Sequence, residues 1–285
     1  MAIAALTYVF NESVNLPIWL KYYGNLFGTE NLFIVDHQST DGSTKNLGDA
    51  NVIRIPRLKF DDTDKSHFIS SMQSALLRSH DAVVCGDCDE LLVADPAKYA
   101  DLNDYIARGL SDYATAVGVN VVHIVDRELP LDLGRPILSQ RKHGLFSSSI
   151  CKTLLSRVPL TWSPGMHATS MPPKFDTDLF LFHTKLMDYG LAVTRQRMNQ
   201  DIPWSEKSLQ KNYGVQHRFD QKRLVEETFL YAIGALNANN VFDFKFDHVV
   251  ANMLGSMAVS REGFHESPFG LASAVLIPDR FQYSV

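Results

Sequence analysis

The chain has 285 residues, 45% of them hydrophobic and 21% charged, with 32 acidic against 27 basic side chains for a formal net charge of −5. That balance fits one large α/β domain, or a domain with an extension, and excludes a chain dominated by disorder. No block of like charges offers a nucleic-acid groove or a membrane-surface patch, and no run reaches the roughly 18 apolar residues of a transmembrane segment. Cys85, Cys88 and Cys151 are too few and too irregularly spaced for a disulfide framework. Free thiols in a reducing compartment are the simpler reading, so a cytoplasmic location is expected. The C-x-x-C spacing of Cys85 and Cys88 lacks a second cysteine pair, which argues against a zinc knuckle.

In chain order, residues 2–10 form a continuous apolar run that reads as a strand buried on both faces, with no basic region to make it a signal peptide. Asn11 and Glu12 end it. A helix is predicted over 16–26, with Pro17 in its first turn and Gly28 beyond its end. Strands follow at 32–35 and 52–55, separated by the polar turn Asp36 to Ser43. A helix is predicted over 66–78, where Phe68, Ile69, Met72, Leu76 and Leu77 share a face. A fourth strand, 82–85, delivers Asp87, Asp89 and Glu90 at its C-terminal end. Further on, strands are predicted at 115–125, 150–157 and 179–182, and a helix at 220–236. Phe242, Phe244 and Phe246 alternate as in a strand or a packed loop.

Strands alternating with helices predict a mostly parallel sheet, and such sheets bind ligands outside the carboxyl ends of their strands. Three polar clusters fall at such ends: Asn11-Glu12, Asp36 to Ser43, and Asp87 to Glu90. Two carboxylates one residue apart, Asp87 and Asp89, suit a hard divalent cation, Mg²⁺ or Mn²⁺, shared with substrate phosphates. A haloacid dehalogenase phosphatase also uses D-x-D, but after its first strand and followed by Thr; here Glu90 follows, after a fourth strand. Asp36 is expected to hydrogen-bond a ribose or base, with Asp41 and Ser43 shaping the loop. Asn11 and Glu12 either cap the next helix or read a pyrimidine edge.

Taken together, these strings resemble glycosyltransferase family 2-like proteins. The opening Thr7-Tyr8-Val9-Phe10-Asn11-Glu12, with Leu16-Pro17-x-Trp19-Leu20-x-Tyr22-Tyr23 behind it, is similar to that family's start. Leu32-Phe33-Ile34-Val35-Asp36-x-x-Ser39-x-Asp41-Gly42-Ser43 is similar to its second-strand motif, and Cys85-Gly86-Asp87-Cys88-Asp89-Glu90 to its D-x-D-E segment. The resemblance covers about the first hundred residues. It implies a GT-A-like, Rossmann-type fold with a nucleotide-sugar donor, UDP-sugars foremost, and a divalent cation at Asp87 and Asp89. Asn11, Glu12 and Asp36 would surround the nucleoside, and one or both of His167 and His183 would reach the metal or diphosphate. Lys185 is expected to meet a phosphate as a point charge; Lys152, Arg195 and Arg197 are weaker candidates.

An inverting transfer also needs a carboxylate base. Asp126, Glu128 and Asp188 are the candidates, because the family's usual Glu-Asp signature is missing here. Trp162, Trp204 and Tyr213 can stack on a sugar or simply pack. The expected organisation is a catalytic domain over 1–190 and a mainly helical extension over 191–285 on the acceptor side. The expected reaction is sugar transfer to a hydroxyl of a saccharide or glycolipid, as in bacterial surface polysaccharide assembly. Two other readings stand beside it. A sugar nucleotidyltransferase would carry a Gly-rich basic loop after the first strand, which Phe10-Asn11-Glu12-Ser13 does not supply. The other is a non-catalytic sugar-nucleotide-binding protein.

Overall fold

In the computed structural model, all residues are described except 58, 268, 269 and 271. The first part of the chain alternates β1 (Ile3–Val9), α1 (Asn15–Phe27), β2 (Leu32–Asp36), β3 (Asn51–Arg54), α2 (Asp62–Leu76) and β4 (Ala82–Cys85). β1 lies between β2 and β4, β3 lies outside β2, and all four run parallel. The apolar side chains of β1 and β4 are almost fully buried on both faces, which is what an interior parallel position requires. Because the strands are parallel, their C-terminal ends open on one edge.

The middle of the chain adds β5 (Glu90–Ala94), α3 (Leu102–Arg108), β6 (Tyr113–Val121), α4 (Ile137–Gln140), β7 (His143–Ser147), β8 (Leu155–Ser156) and β9 (Phe175–His183). β8 joins β4 to β6 by antiparallel pairing on both sides. β6 carries β7 antiparallel and β9 parallel, and β9 pairs antiparallel with β5. The sheet is therefore parallel at its N-terminal core and is extended mainly by antiparallel strands.

After that come α5 (Tyr189–Gln200), α6 (Glu206–Gln210), α7 (Gln221–Leu224), a π-helical turn (Val225–Leu230), α8 (Tyr231–Asn237), α9 (Asp247–Gly255), the two-residue strands β10 (Ala258–Val259) and β11 (His265–Glu266), and β12 (Ala272–Leu276). β12 returns to the main sheet and pairs with β7. Phe246, Val250, Met253, Val275 and Phe281 share one buried cluster with Val117, Phe146, Phe180 and Phe182. Residue 190 thus marks no break in the core; helices and a sheet strand both follow it.

Three local expectations are revised. Residues 150–157 do not form one strand: Ser148–Ile150 is a 3-10 turn and only Leu155–Ser156 pairs. The reason is a close crossing, since a Cβ on Gly118 of β6 would lie 2.3 Å from the Ile150 carbonyl oxygen. β5 forms directly after the acidic turn, in a segment read only as its tail. α2 begins at Asp62, not at Ser66, because the Asp61 carboxylate caps it by accepting from the Thr63 and Asp64 amides. Of the two readings of the alternating phenylalanines, the packed loop holds: Phe244 packs on Phe180 and Phe246, with ring centroids 4.9 Å away in each case, and Phe242 makes only an isolated bridge to Val275.

Candidate active site

A cavity of about 950 Å³ opens at the C-terminal edge of the parallel strands. Residues 10–15 after β1, His37 after β2 and Asp87 to Glu90 after β4 line its floor. Lys65 of α2, His183 and Lys185 at the end of β9, and Arg195 of α5 close in from the sides. The opposite wall comes from the C-terminal part of the chain, including Trp204, Tyr213, His217 and Glu227.

The acidic turn is held by cations. The Lys65 ammonium lies 2.5 Å from an oxygen of Asp87. Glu90 is not in solvent: its carboxylate and Lys152 form a buried pair at 2.6 Å, with side-chain exposures of 2% and 4%. Glu90 also accepts from the Asp87 amide at 3.2 Å, so this pair fixes the turn from below. Asp89 faces His183, whose Nε2 is 3.2 Å from its Oδ2, while His183 Nδ1 is 2.7 Å from the Asn120 side-chain oxygen. Burial pushes both aspartates upward, but the cations outweigh it. Lys65 and Lys152 hold Asp87 below its ordinary value, and His183 and Lys185 hold Asp89 well below. Both stay ionised and ready to face positive charge.

Glu12 and Arg195 meet in a close ion pair. Arg195 also donates to the Asn11 carbonyl at 2.7 Å and to the Phe10 carbonyl at 3.3 Å, so α5 clamps the turn after β1. Burial lifts the Glu12 carboxyl to about 7, against the pull of Arg195 and with the repulsion of Asp89 and Asp87. Burial also lowers the Lys185 ammonium from its usual value, partly offset by Asp89. Lys185 lines the cavity within electrostatic reach of Asp89, Asp87 and Glu12.

His167 lines the cavity on the side of Lys152 and Asp87. Its Nδ1 lies 2.6 Å from the Ser149 carbonyl, and a carbonyl only accepts, so Nδ1 carries the proton and Nε2 the lone pair. Burial, helped by Lys152, lowers His167 to about 3, so the ring is neutral near pH 7.

Other sequence candidates stand elsewhere. Asp36 is buried and works inside its own turn, accepting from the Ser39 amide at 2.7 Å and the Thr44 hydroxyl at 3.1 Å. Neither Asp36 nor Asp41 lines the cavity; Asp41 accepts from the Ser43 amide and hydroxyl. Asn11 lines it, but its side-chain oxygen accepts from the Thr40 amide at 2.8 Å, lacing the first two turns together. The three proposed bases all lie off the cavity. Asp126 is on the surface beside Arg127. Glu128 and Asp188 flank the buried Arg141 guanidinium at 3.8 and 3.6 Å, and Asp188 caps α5. Their charges neutralise a buried cation instead of facing a substrate. Trp162 is core and donates to the Thr153 carbonyl; Arg197 bonds Gln221 at the surface.

Sequence reasoning missed Lys65, Asp62 and His217. The first two fell before the predicted helix start; the signal that finds them is the capping aspartate Asp61. His217 stacks on Trp204, which meets Phe60 edge-on with centroids 5.0 Å apart, and no local pattern announces contacts across that distance in sequence.

No family model matches the chain, and no curated protein does. Among solved structures it is similar to the mannose-1-phosphate geranyltransferase from Thermus thermophilus, with 9% identity and a TM-score of 0.31. The similarity covers 70% of this chain and 61% of that one. A likeness of that size says nothing about chemistry.

Proposed function

We propose that the chain is a glycosyltransferase. It takes a sugar from a nucleoside diphosphate sugar, UDP-sugars first, and passes it to a hydroxyl of a saccharide or glycolipid. The observation that carries the reading is the pairing of Asp89 with His183 beside Lys185, at the sheet edge where the turns after β1 and β4 also meet.

The donor set fits a divalent cation, Mn²⁺ or Mg²⁺. Two ligands at adjacent octahedral positions, with bonds of about 2.1 Å, stand about 3 Å apart, and Asp89 and His183 are 3.2 Å apart. Among the described residues no cluster of three acidic, histidine or cysteine groups is arranged to cage a metal. A cation there would have to take its remaining ligands from water and substrate phosphate. Bound there, it would supply electrostatic stabilisation to the departing diphosphate.

The chain's own residues do the rest. Lys185 meets a phosphate oxygen as a point charge. Lys65 holds Asp87 in place, and the Glu90–Lys152 pair keeps the turn at a fixed height. Arg195 fixes the loop after β1, against which the nucleoside lies, with Asn11 and Asp36 acting through the loops they tie. His167 adds a neutral imidazole to the wall.

Release of UDP from a panel of UDP-sugars, with Mn²⁺ and with chelator, tests this. Turnover should require the metal and fall about 100- to 1,000-fold in Asp89→Ala and His183→Ala. Full turnover in chelator would remove the cation from the scheme. Binding of UDP without turnover of any donor, in the presence of saccharide acceptors, would favour a sugar-nucleotide-binding protein.

A further inference from the structure

Among the described residues, Asp62 is the one buried carboxylate on the cavity wall with which no cation of the protein forms an ion pair. Glu12, Asp87, Asp89 and Glu90 each have a partner described above, and Glu227 and Glu262 pair with Arg223 and Lys211. Glu266 lies exposed at the rim. Asp62 is only 7% exposed, and among the described residues its carboxylate accepts no hydrogen bond and enters no ion pair. Its neighbour Asp61 is fully engaged as the α2 cap and by the Ser205 hydroxyl at 2.5 Å. Lys65, itself bonded to Asp87, is within electrostatic reach of Asp62, and a carboxylate at a cavity that takes no hydrogen bond from the protein can accept one from a bound molecule.

Its place in the fold says which donor. The C-terminal wall docks on the start of α2: the Phe60 amide donates to the Pro203 carbonyl at 2.7 Å, and the Ser205 amide to the Phe60 carbonyl at 2.9 Å. The Asp62 amide itself donates to the Ser208 hydroxyl at 3.4 Å. Asp62 therefore sits at the seam between the charged sheet edge and the opposite wall. On the glycosyltransferase reading, a second substrate lying against that wall would bring its hydroxyl to this seam.

Building on the glycosyltransferase reading, we infer that Asp62 is the general base that takes the proton of the acceptor hydroxyl. The hydroxyl oxygen uses a lone pair to form the new bond to the anomeric carbon, and its proton passes to an Asp62 oxygen. The bond from that carbon to the diphosphate oxygen breaks, and its electron pair leaves with the nucleoside diphosphate beside Lys185. One bond forms, one breaks, and the proton stays on Asp62 until solvent removes it.

The test uses the full chain and a UDP-sugar that the wild type turns over, with water or a saccharide as acceptor. Burial raises the Asp62 carboxyl above its ordinary value, with Lys65 opposing and Asp87 and Asp61 adding, so a neutral amide there does not weaken the fold. Asp62→Asn should lose about 100- to 10,000-fold in kcat while KM for the donor and calorimetric affinity for UDP with Mn²⁺ stay unchanged. Asp62→Glu should recover part of the rate, and formate should restore turnover in Asp62→Ala. Asp61→Asn, which breaks the helix cap, should lower Tm without that loss of kcat. Wild-type kcat in Asp62→Asn, or a loss of kcat that follows lost UDP affinity and is not rescued by formate, overturns the base. A wild type that turns over no sugar nucleotide overturns the glycosyltransferase reading itself, and the base with it.

Discussion

The two walls of the cavity are built on different principles. The sheet-edge wall is polar and charged: short turns at strand ends carry Asp87, Asp89, Glu90 and Glu12, each matched by a basic side chain from elsewhere in the chain. The opposite wall is built from short helices and turns around an aromatic stack, with Trp204 between Phe60 and His217. One wall thus gains its geometry from charge pairs anchored on a rigid sheet, the other from packing. Substitutions should separate them by what they damage.

The largest effect on stability is expected at the sheet edge. Glu90→Gln or Lys152→Met leaves one buried charge without its partner and should cost about 3–5 kcal/mol in urea unfolding. An unchanged midpoint would show that the turn does not depend on the pair. Next comes Trp204→Ala, which empties the centre of the aromatic wall and should cost about 3 kcal/mol. It should weaken saccharide acceptor binding while UDP affinity in calorimetry holds. Equal loss of both ligands would erase the distinction between the walls.

A smaller and more local effect is expected from Gly214→Ala. Gly214 has φ +60°, and a Cβ there would lie 2.1 Å from the Trp204 ring. The substitution should cost about 1–3 kcal/mol and shift the tryptophan fluorescence. A wild-type spectrum and Tm would show that the wall yields easily.

The mildest test is pH. His167 and His217, one on each wall, are both lowered by burial to about 3 from 6.5. The unfolded chain binds two protons below pH 6.5 that the folded chain refuses, so stability falls as pH drops from there. Glu12, raised from 4.5 to about 7, acts the other way: the folded chain keeps a proton that the unfolded chain releases, so stability gains as pH drops from about 7 to 4.5. Two losses against one gain leave net acid destabilisation. Tm should decline below pH 6.5, less steeply in His217→Gln and more steeply in Glu12→Gln.

The same contrast governed what the sequence disclosed. β1, β2 and β4 were legible because interior parallel strands need unbroken apolar runs, and Asp87 and Asp89 followed from the end of one of them. His183 was legible as the residue closing β9. Lys65 and Asp62 lie ahead of the apolar periodicity that predicts a helix from 66, because a capping aspartate starts α2 four residues earlier. Glu128 and Asp188 lie beside Arg141, which is buried to 1% exposure, and no local pattern in the sequence announces that contact. The packed wall was least legible of all. Phe60 and Trp204 form a bridge across 144 positions, and neither residue carries a local sign of the other.

The buried Glu90–Lys152 pair also bears on how such a chain can change over generations. Exchanging either residue singly strands a charge in the interior, whereas exchanging both for matched neutral groups removes the conflict. In any set of relatives the two positions should therefore vary jointly, and a lineage that had lost one would be expected to have lost the other. Covariation at positions 90 and 152, among sequences too divergent to recognise by identity, would be an inherited mark of this turn.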